Sequence, residues 1–273
     1  MSHQRNSSTS FTERTQFLKI YDRKSGEERR LAYVKVSGTR SPGITYIPGF
    51  MGKKNVGKVA ALHTFCVKHG FPYIRYDATG LGESEGPVKL EDARFYHWLQ
   101  DAEEILFKLT EGPQLVIASS MGAWITLILA KKHPAKFSGL LLIAPSINFA
   151  DRYTQMIRKH ATTSLLEKLE KGESYEYQDA KRGPFPVSLA VFQEMIPYEL
   201  SLEPGRFPVS CPVRIIHGTK DRYSPCETSL KLLAGLETTD VTIVYIKGAD
   251  HCLCEPKYLE IIYDAVLKLT SVL

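Results

Sequence analysis

Short apolar runs alternate with segments of helical spacing along most of the chain. Runs of strand length predict β-strands over residues 15–20, 29–36, 43–48, 72–77, 114–119, 139–145, 213–218 and 241–247. Apolar residues at every third or fourth position predict helices over 56–69, 91–110, 121–132 and from 259 to the end. Between the last two strands, Ser224-Pro225-Cys226-Glu227 has the sequence of a capping box, which predicts a further helix start. Nearly continuous apolar strands separated by helices predict an α/β fold, with a mostly parallel central sheet covered by helices on both faces.

Two segments depart from this alternation. Residues 147–210 show helical patterns and no convincing strand, and long insertions in compact domains are usually functional. We therefore expect a helical lid insertion that covers a ligand site. Residues 1–14 are rich in serine and threonine and lack the apolar stretch of a secretory signal, so we expect a disordered or transit-like start before a single domain over 15–273.

The strand predicted over 114–119 runs into the following helix through one polar residue, Ser120. So abrupt a turn needs small residues two positions before and after the serine, because strand and helix pack closely there; Ala118 and Gly122 meet this need. A side chain at the tip of the turn stands clear of the sheet, and we expect backbone angles at Ser120 outside the common regions. If Ser119 were at the tip instead, Met121 would occupy the crowded position.

An acid and a histidine follow two later strands. Asp221 comes after 213–218 and His251 after 241–247, and ligands of parallel sheets bind at the carboxyl ends of the strands. Nucleophile, acid and base occur in this chain order on sheets of this kind. We predict that the His251 imidazole removes the Ser120 proton while the Asp221 carboxylate orients the imidazole.

Other polar residues also follow strands. Asp77 and Asp250 are rival acids, and we expect Asp77 to brace its own loop. His217 lies at the end of a predicted strand, where we expect a structural role.

Negative charge that develops on a substrate oxygen needs hydrogen-bond donors. We predict an oxyanion hole formed by two backbone N–H groups, one from Met121 at the helix start and one from Phe50 in the loop P-G-F-M-G after strand 43–48.

Residues Gly52–Lys58 fit the pattern G-x-x-x-x-G-K between a strand and a helix, where a phosphate-binding P-loop would lie. Val59, however, stands where a serine or threonine must bind Mg²⁺, which disfavours nucleotide binding. We expect the lysines of this segment to be solvated surface residues.

Charge and composition narrow the function classes. The net charge of +5 is spread without a basic stripe, so no nucleic-acid partner is expected. No apolar run reaches the roughly 18 residues of a membrane span, so no stable membrane insertion is expected. Five cysteines, an odd number, argue against a disulfide framework and favour a reducing compartment. Cys252 and Cys254 lack further zinc ligands nearby, so we expect no metal and no cofactor.

From about Phe17 to the C-terminus, the chain resembles the α/β-hydrolase-fold serine hydrolases. The stretches A-S-S-M-G-A-W, Y-I-P-G-F, R-Y-D-A-T-G-L-G-E-S and C-P-V-R-I-I-H-G-T-K-D resemble in particular the branch of mitochondrial palmitoyl-protein thioesterases and acyl-glucuronide esterases. In that branch Ala118 and Ala123 correspond to glycines, and the extra methyl groups would narrow the turn.

The resemblance implies an acyl-enzyme mechanism on Ser120, with Asp221 as the acid and His251 as the base. It also implies acyl ester or thioester substrates, including S-acylated proteins, and a mitochondrial location, with the cytosol as the alternative. Two other functions stay open here: a non-catalytic scaffold or ligand receptor of this fold, and nucleotide binding through Gly52–Lys58. Because all three predicted triad residues are present, we favour the hydrolase.

Overall fold

The computed structural model describes residues 14–179 and 183–273. The start expected at residues 1–14 therefore lies, apart from its last residue, outside the described residues. The strands in chain order are β1 (Gln16–Tyr21), β2 (Glu28–Val36), β3 (Gly43–Ile47), β4 (Tyr73–Tyr76), β5 (Gln114–Ser119), β6 (Phe137–Ile143), β7 (Tyr175–Asp179), β8 (Gly183–Val187), β9 (Val213–Gly218) and β10 (Val241–Ile246). The helices are α1 (Gly57–His69), α2 (Phe95–Lys108), α3 (Met121–Lys132), α4 (Ala150–His160), α5 (Thr163–Glu170), α6 (Leu189–Met195), α7 (Glu227–Gly235) and α8 (Pro256–Val272).

Eight strands form one sheet in the order β1-β2-β4-β3-β5-β6-β9-β10. From β4 to β10 all neighbours are parallel, while β2 pairs antiparallel with both β1 and β4. An apolar core lies on each face of this sheet: α2 and α3 pack on one side, and α1 and α8 on the other. The predicted α/β class and mostly parallel sheet are confirmed.

Two local predictions were wrong. Helix α2 begins four residues later than expected, because residues 89–93 form hydrogen-bonded turns and Arg94 is extended. Ser224 does not cap α7; its hydroxyl donates to the carbonyl oxygen of Pro145 at 2.6 Å instead.

The insertion over residues 147–210 contains α4, α5 and α6, but also the antiparallel hairpin β7–β8. The expectation that it holds no strand was wrong: these short strands pair only with each other, and prolines at 184 and 186 disguise the second one in the sequence. Asn148 ties the start of the insertion to a segment near its end, since its side-chain amide donates to Leu200 O at 2.7 Å and accepts from Leu200 N at 2.9 Å. No helix in the described part of the chain combines the length and the apolar character needed to cross a membrane.

Candidate active site

Ser120 is the single residue between β5 and α3, and its backbone is unusual. Its φ of 55° and ψ of −123° lie outside the regions that serine commonly occupies, which confirms the expectation from the sequence. Two hydrogen bonds hold the turn, from Ser120 N to Ile143 O at 2.9 Å and from Ser146 N to Ser120 O at 3.2 Å. Because the surrounding structure imposes this conformation, the Ser120 side chain is presented at the end of the sheet.

Gly122 explains why small residues surround the serine. A Cβ atom at this position would lie 2.5 Å from Ile47 O and 2.6 Å from Pro48 O. Both are backbone atoms at the end of β3, and neither can rotate away. The first turn of α3 therefore packs directly on the strand that leads into the loop containing Phe50.

Substituting Gly122→Ala should consequently push the end of β3 and its loop away from α3. We expect a loss of about 1–3 kcal/mol in stability from overpacking and about a 10²-fold loss in kcat/KM, because a displacement near 1 Å is enough for that. Ala123→Gly is the matched control: it weakens the same helix by about 1 kcal/mol without touching β3. Equal kinetic losses in both variants, measured alongside urea denaturation, would contradict this account.

The loop after β3 packs against the serine. A Cβ atom at Gly49 would lie 2.8 Å from Ser119 O and 2.9 Å from Ser120 Cβ, so only glycine allows this approach. Phe50 follows directly and lines the same cavity as Ser120. Met121 is the first residue of α3, where a backbone N–H has no partner within the helix. Both predicted oxyanion donors thus lie beside Ser120: Met121 follows it in the chain, and Phe50 follows Gly49, which packs against it.

Asp77 braces its own loop, as expected from the sequence, and it also holds the loop after β3. Its carboxylate accepts from the backbone N–H of Lys54 at 2.7 Å, from the Lys54 ammonium at 2.9 Å and from Glu83 N at 2.9 Å. The buried guanidinium of Arg75 supports the same segment through Asn55 Oδ1 at 2.8 Å and through the carbonyl oxygen of Lys54. The Asp77 carboxylate is therefore taken up by hydrogen bonds with Lys54 and Glu83 and does not serve as the partner of His251.

The expectation of solvated lysines was wrong for two members of the segment Gly52–Lys58. Lys54 is 1% exposed and Lys58 8% exposed. The Lys58 ammonium donates to Cys252 O at 2.6 Å, which ties the start of α1 to the loop after β10. Neither amino group is presented to solvent as a phosphate-binding lysine would be, so the structure gives no support to a P-loop.

Asp221 and His251 come together because the loops after β9 and β10 pack tightly. A Cβ atom at Gly218 would lie 2.4 Å from Ala249 O, and Lys220 N donates to Ala249 O at 2.9 Å. As a result, His251 Nδ1 lies 2.6 Å from Asp221 Oδ2. The other rival acid, Asp250, accepts from the backbone N–H groups of Cys252 and Leu253 in its own turn.

The Asp221 carboxylate is buried and well supplied with donors. Its Oδ1 accepts from Tyr223 N at 2.8 Å and from Ser224 N at 2.9 Å. Burial by itself would raise the pKa of Asp221, but hydrogen bonds from His217, His251 and Ser224 N outweigh it and hold this pKa well below the usual range. The Asp221 carboxylate is therefore ionised at neutral and mildly acidic pH and accepts hydrogen bonds there.

His217 is a partner of Asp221 that the sequence did not indicate. Its Nε2 lies 3.1 Å from Asp221 Oδ2, the same oxygen that contacts His251. The only signal in the sequence is the spacing H-x-x-x-D at the end of β9, which is too common to be diagnostic.

A cavity of about 410 Å³ lies between the carboxyl ends of the strands and the insertion. Ser120, Met121, Phe50 and His251 all line it. The insertion supplies mainly aromatic and aliphatic walls, namely Phe149, Tyr153, Met156, Ile157, Phe192 and Met195. Among residues 14–179 and 183–273, no group of three or more His, Cys, Asp or Glu side chains could hold a metal ion.

Comparisons with known proteins agree with this architecture. The family model described as "Hydrolase_4: Serine aminopeptidase, S33" matches residues 49–256. The chain is 32% identical over 247 residues to "Palmitoyl-protein thioesterase ABHD10, mitochondrial" of Mus musculus, covering 89% of this chain and 80% of the relative. The structure of alpha/beta hydrolase domain-containing protein 10 from mouse superposes with a TM-score of 0.80 at 28% identity, covering 94% of this chain and 98% of that one. A putative hydrolase from Agrobacterium vitis S4 shares the fold, with a TM-score of 0.83 at 22% identity over 94% of this chain and 98% of that one. The chain belongs to the Hydrolase_4 family and is an α/β hydrolase.

Proposed function

We propose that this protein is a serine hydrolase that cleaves carboxylic esters and thioesters through an acyl-enzyme on Ser120. The proposal rests on the combination of a constrained serine, a histidine in the same cavity and a buried carboxylate that contacts this histidine. A serine on a constrained strand–helix turn lines the same cavity as His251, and the Nδ1 of that histidine contacts the buried carboxylate of Asp221 at 2.6 Å.

The proposed chemistry follows from the protonation states. The ionised Asp221 accepts the Nδ1 proton of His251, which leaves Nε2 free of a proton and able to act as a base. Nε2 takes the proton of the Ser120 hydroxyl as Oγ attacks the acyl carbon. The N–H groups of Phe50 and Met121 stabilise the negative oxygen of the tetrahedral intermediate. His251 then gives its proton to the leaving alcohol or thiol, and water repeats the cycle to release the acid.

The cavity is suited to bind the acyl part of the substrate. Its walls from the insertion are largely apolar, and an acyl chain would gain free energy by leaving water there. We accordingly assign residues 147–210 the role of a lid.

By similarity to relatives named palmitoyl-protein thioesterase, S-acylated proteins are the proposed substrates, with acyl-glucuronide esters as a second substrate class. The mitochondrion is the proposed location, with the cytosol as the alternative.

A fluorophosphonate probe tests the nucleophile. We expect the folded protein to be labelled on the peptide that contains Ser120, and Ser120→Ala to prevent labelling under the same conditions. Because the probe reacts only with an activated serine, an unlabelled wild-type protein would point to a non-catalytic scaffold or receptor of the same fold. Labelling that persists in Ser120→Ala would place the reactive group elsewhere.

The leaving group is tested separately with acyl-thioesters and acyl-glucuronide esters that carry the same acyl chain. We expect turnover of the thioester with release of a free thiol in proportion to the acid formed.

A further inference from the structure

Two imidazoles converge on one carboxylate oxygen. Asp221 Oδ2 lies 2.6 Å from His251 Nδ1 and 3.1 Å from His217 Nε2. The proposed mechanism uses only the first of these contacts. His217 is completely buried at the end of β9, so its position beside the carboxylate is fixed by the packing around it.

The neighbours of His217 determine which ring nitrogen carries the proton. Nε2 lies 3.1 Å from Asp221 Oδ2 and 3.1 Å from Ser224 O, and neither oxygen carries a proton to donate. Nε2 must therefore be the protonated nitrogen, donating to both acceptors. Nδ1 lies 2.7 Å from Ser229 Oγ, and that hydroxyl can donate to it. A neutral His217 is thus fully hydrogen-bonded in a single tautomer.

One further side chain lies beside the ring. The ring of Tyr245 lies 6.4 Å from that of His217, and its hydroxyl is directed to Cys226 O at 2.9 Å, so it does not compete for either ring nitrogen. His217 therefore faces Asp221 with its Nε2–H and does not line the cavity that Ser120 lines.

We propose that His217 is a positioning residue for the Asp221–His251 pair, which fixes Asp221 Oδ2 by donating Nε2–H to it. The inference rests on the proposed function. With two backbone donors on Oδ1 and two imidazoles on Oδ2, the carboxylate cannot rotate away from His251. The second donor also withdraws negative charge from Oδ2 and so moderates the basicity of His251.

A purely structural role for His217 makes a different prediction. Loss of a structural hydrogen bond would lower the unfolding temperature and leave the pH dependence of the surviving enzyme unchanged. Loss of a positioning donor alters the carboxylate itself, so the acid limb of the kcat/KM–pH profile must move.

The decisive variants are His217→Phe, which replaces the imidazole by an aromatic ring without nitrogens, and His217→Gln, which keeps an N–H donor. For His217→Phe we expect kcat/KM to fall about 10- to 100-fold, as when a catalytic group is slightly misplaced. The midpoint of the acid limb should rise by roughly half a pH unit, because an Asp221 that has lost one donor stabilises the His251 imidazolium better. His217→Gln should restore both quantities substantially.

Two further variants keep the test informative. His63→Phe replaces another buried imidazole, on α1, and should leave the acid limb unchanged. If His217→Phe does not fold, His217→Met decides, because its flexible apolar side chain adapts to the site without an N–H donor; we expect the same direction of change. Folded His217→Phe or His217→Met with wild-type kcat/KM and an unshifted acid limb would overturn the inference. Fluorophosphonate labelling of the wild type would in that case still support the proposed function, whereas its absence would remove the function itself.

Discussion

Replacing Ser120 with alanine is expected to lower kcat/KM for acyl esters and thioesters by about 10⁶-fold, the scale seen when a serine hydrolase loses its nucleophile. In the proposed mechanism the Ser120 hydroxyl forms the covalent intermediate, so in the variant only the oxyanion donors and the binding of substrate would still accelerate attack by water. The fold should be unaffected, because Ser120 contributes its backbone hydrogen bonds, not its hydroxyl, to the turn. Steady-state kinetics with a chromogenic ester and circular dichroism of the same sample measure both quantities.

Ser119→Ala is the matched control for that experiment. Ser119 is the neighbouring serine, is buried at the end of β5, and lies outside the lining of the cavity. Its loss should leave kcat/KM within a few-fold of the wild type. If Ser119→Ala inactivates the enzyme and Ser120→Ala does not, the assignment of the nucleophile is wrong.

Replacing Asp221 with asparagine should cost about 10⁴-fold in kcat, the effect of forcing a catalytic histidine into the wrong tautomer. The amide nitrogen of asparagine would donate to His251 Nδ1, so the imidazole proton would move to Nε2. That nitrogen could no longer accept the Ser120 proton. The same amide would also face the Nε2–H of His217 and lose this hydrogen bond.

The rival acid Asp250 supplies the comparison for this variant. Its carboxylate accepts backbone N–H groups in its own turn, and an asparagine oxygen can do the same. Asp250→Asn should therefore change kcat by less than about tenfold, since the hydrogen bonds it affects are individually modest. A larger loss in Asp250→Asn than in Asp221→Asn would transfer the role of the acid to Asp250.

Local chemistry explains what could be predicted from the sequence. Apolar runs of strand length predicted all eight strands of the sheet. In the inner strands the runs are nearly continuous, because both faces of those strands are buried. The turn at Ser120 was predictable for a related reason: small residues on either side of one serine are needed only where a strand enters a helix without a loop. Parallel strands share one carboxyl edge, so residues after three different strands could be expected to meet there.

Predictions failed where a distant segment supplied a better partner than the local one. Ser224 has the sequence of a helix cap, but Pro145 O takes its hydroxyl. Lys54 looks like a surface lysine, yet Asp77 provides a buried partner that only the packing of two loops creates. The hairpin β7–β8 was missed for a different, local reason: its two short strands pair only with each other, and prolines at 184 and 186 obscure the second strand in the sequence.

The amino-acid order by itself determined the α/β class, the constrained turn and the succession of Ser120, Asp221 and His251 after three separate strands. These depend on hydrophobic periodicity and on residue size at adjacent positions, which are properties of neighbouring residues. Only the tertiary structure decided that His217 shares an oxygen of Asp221, that Asp77 and Arg75 hold the loop after β3, and that apolar side chains of the insertion line the cavity. Those contacts join residues far apart in the chain, and the free energy that selects them comes from burying polar groups with their partners, which appears only once the loops have packed.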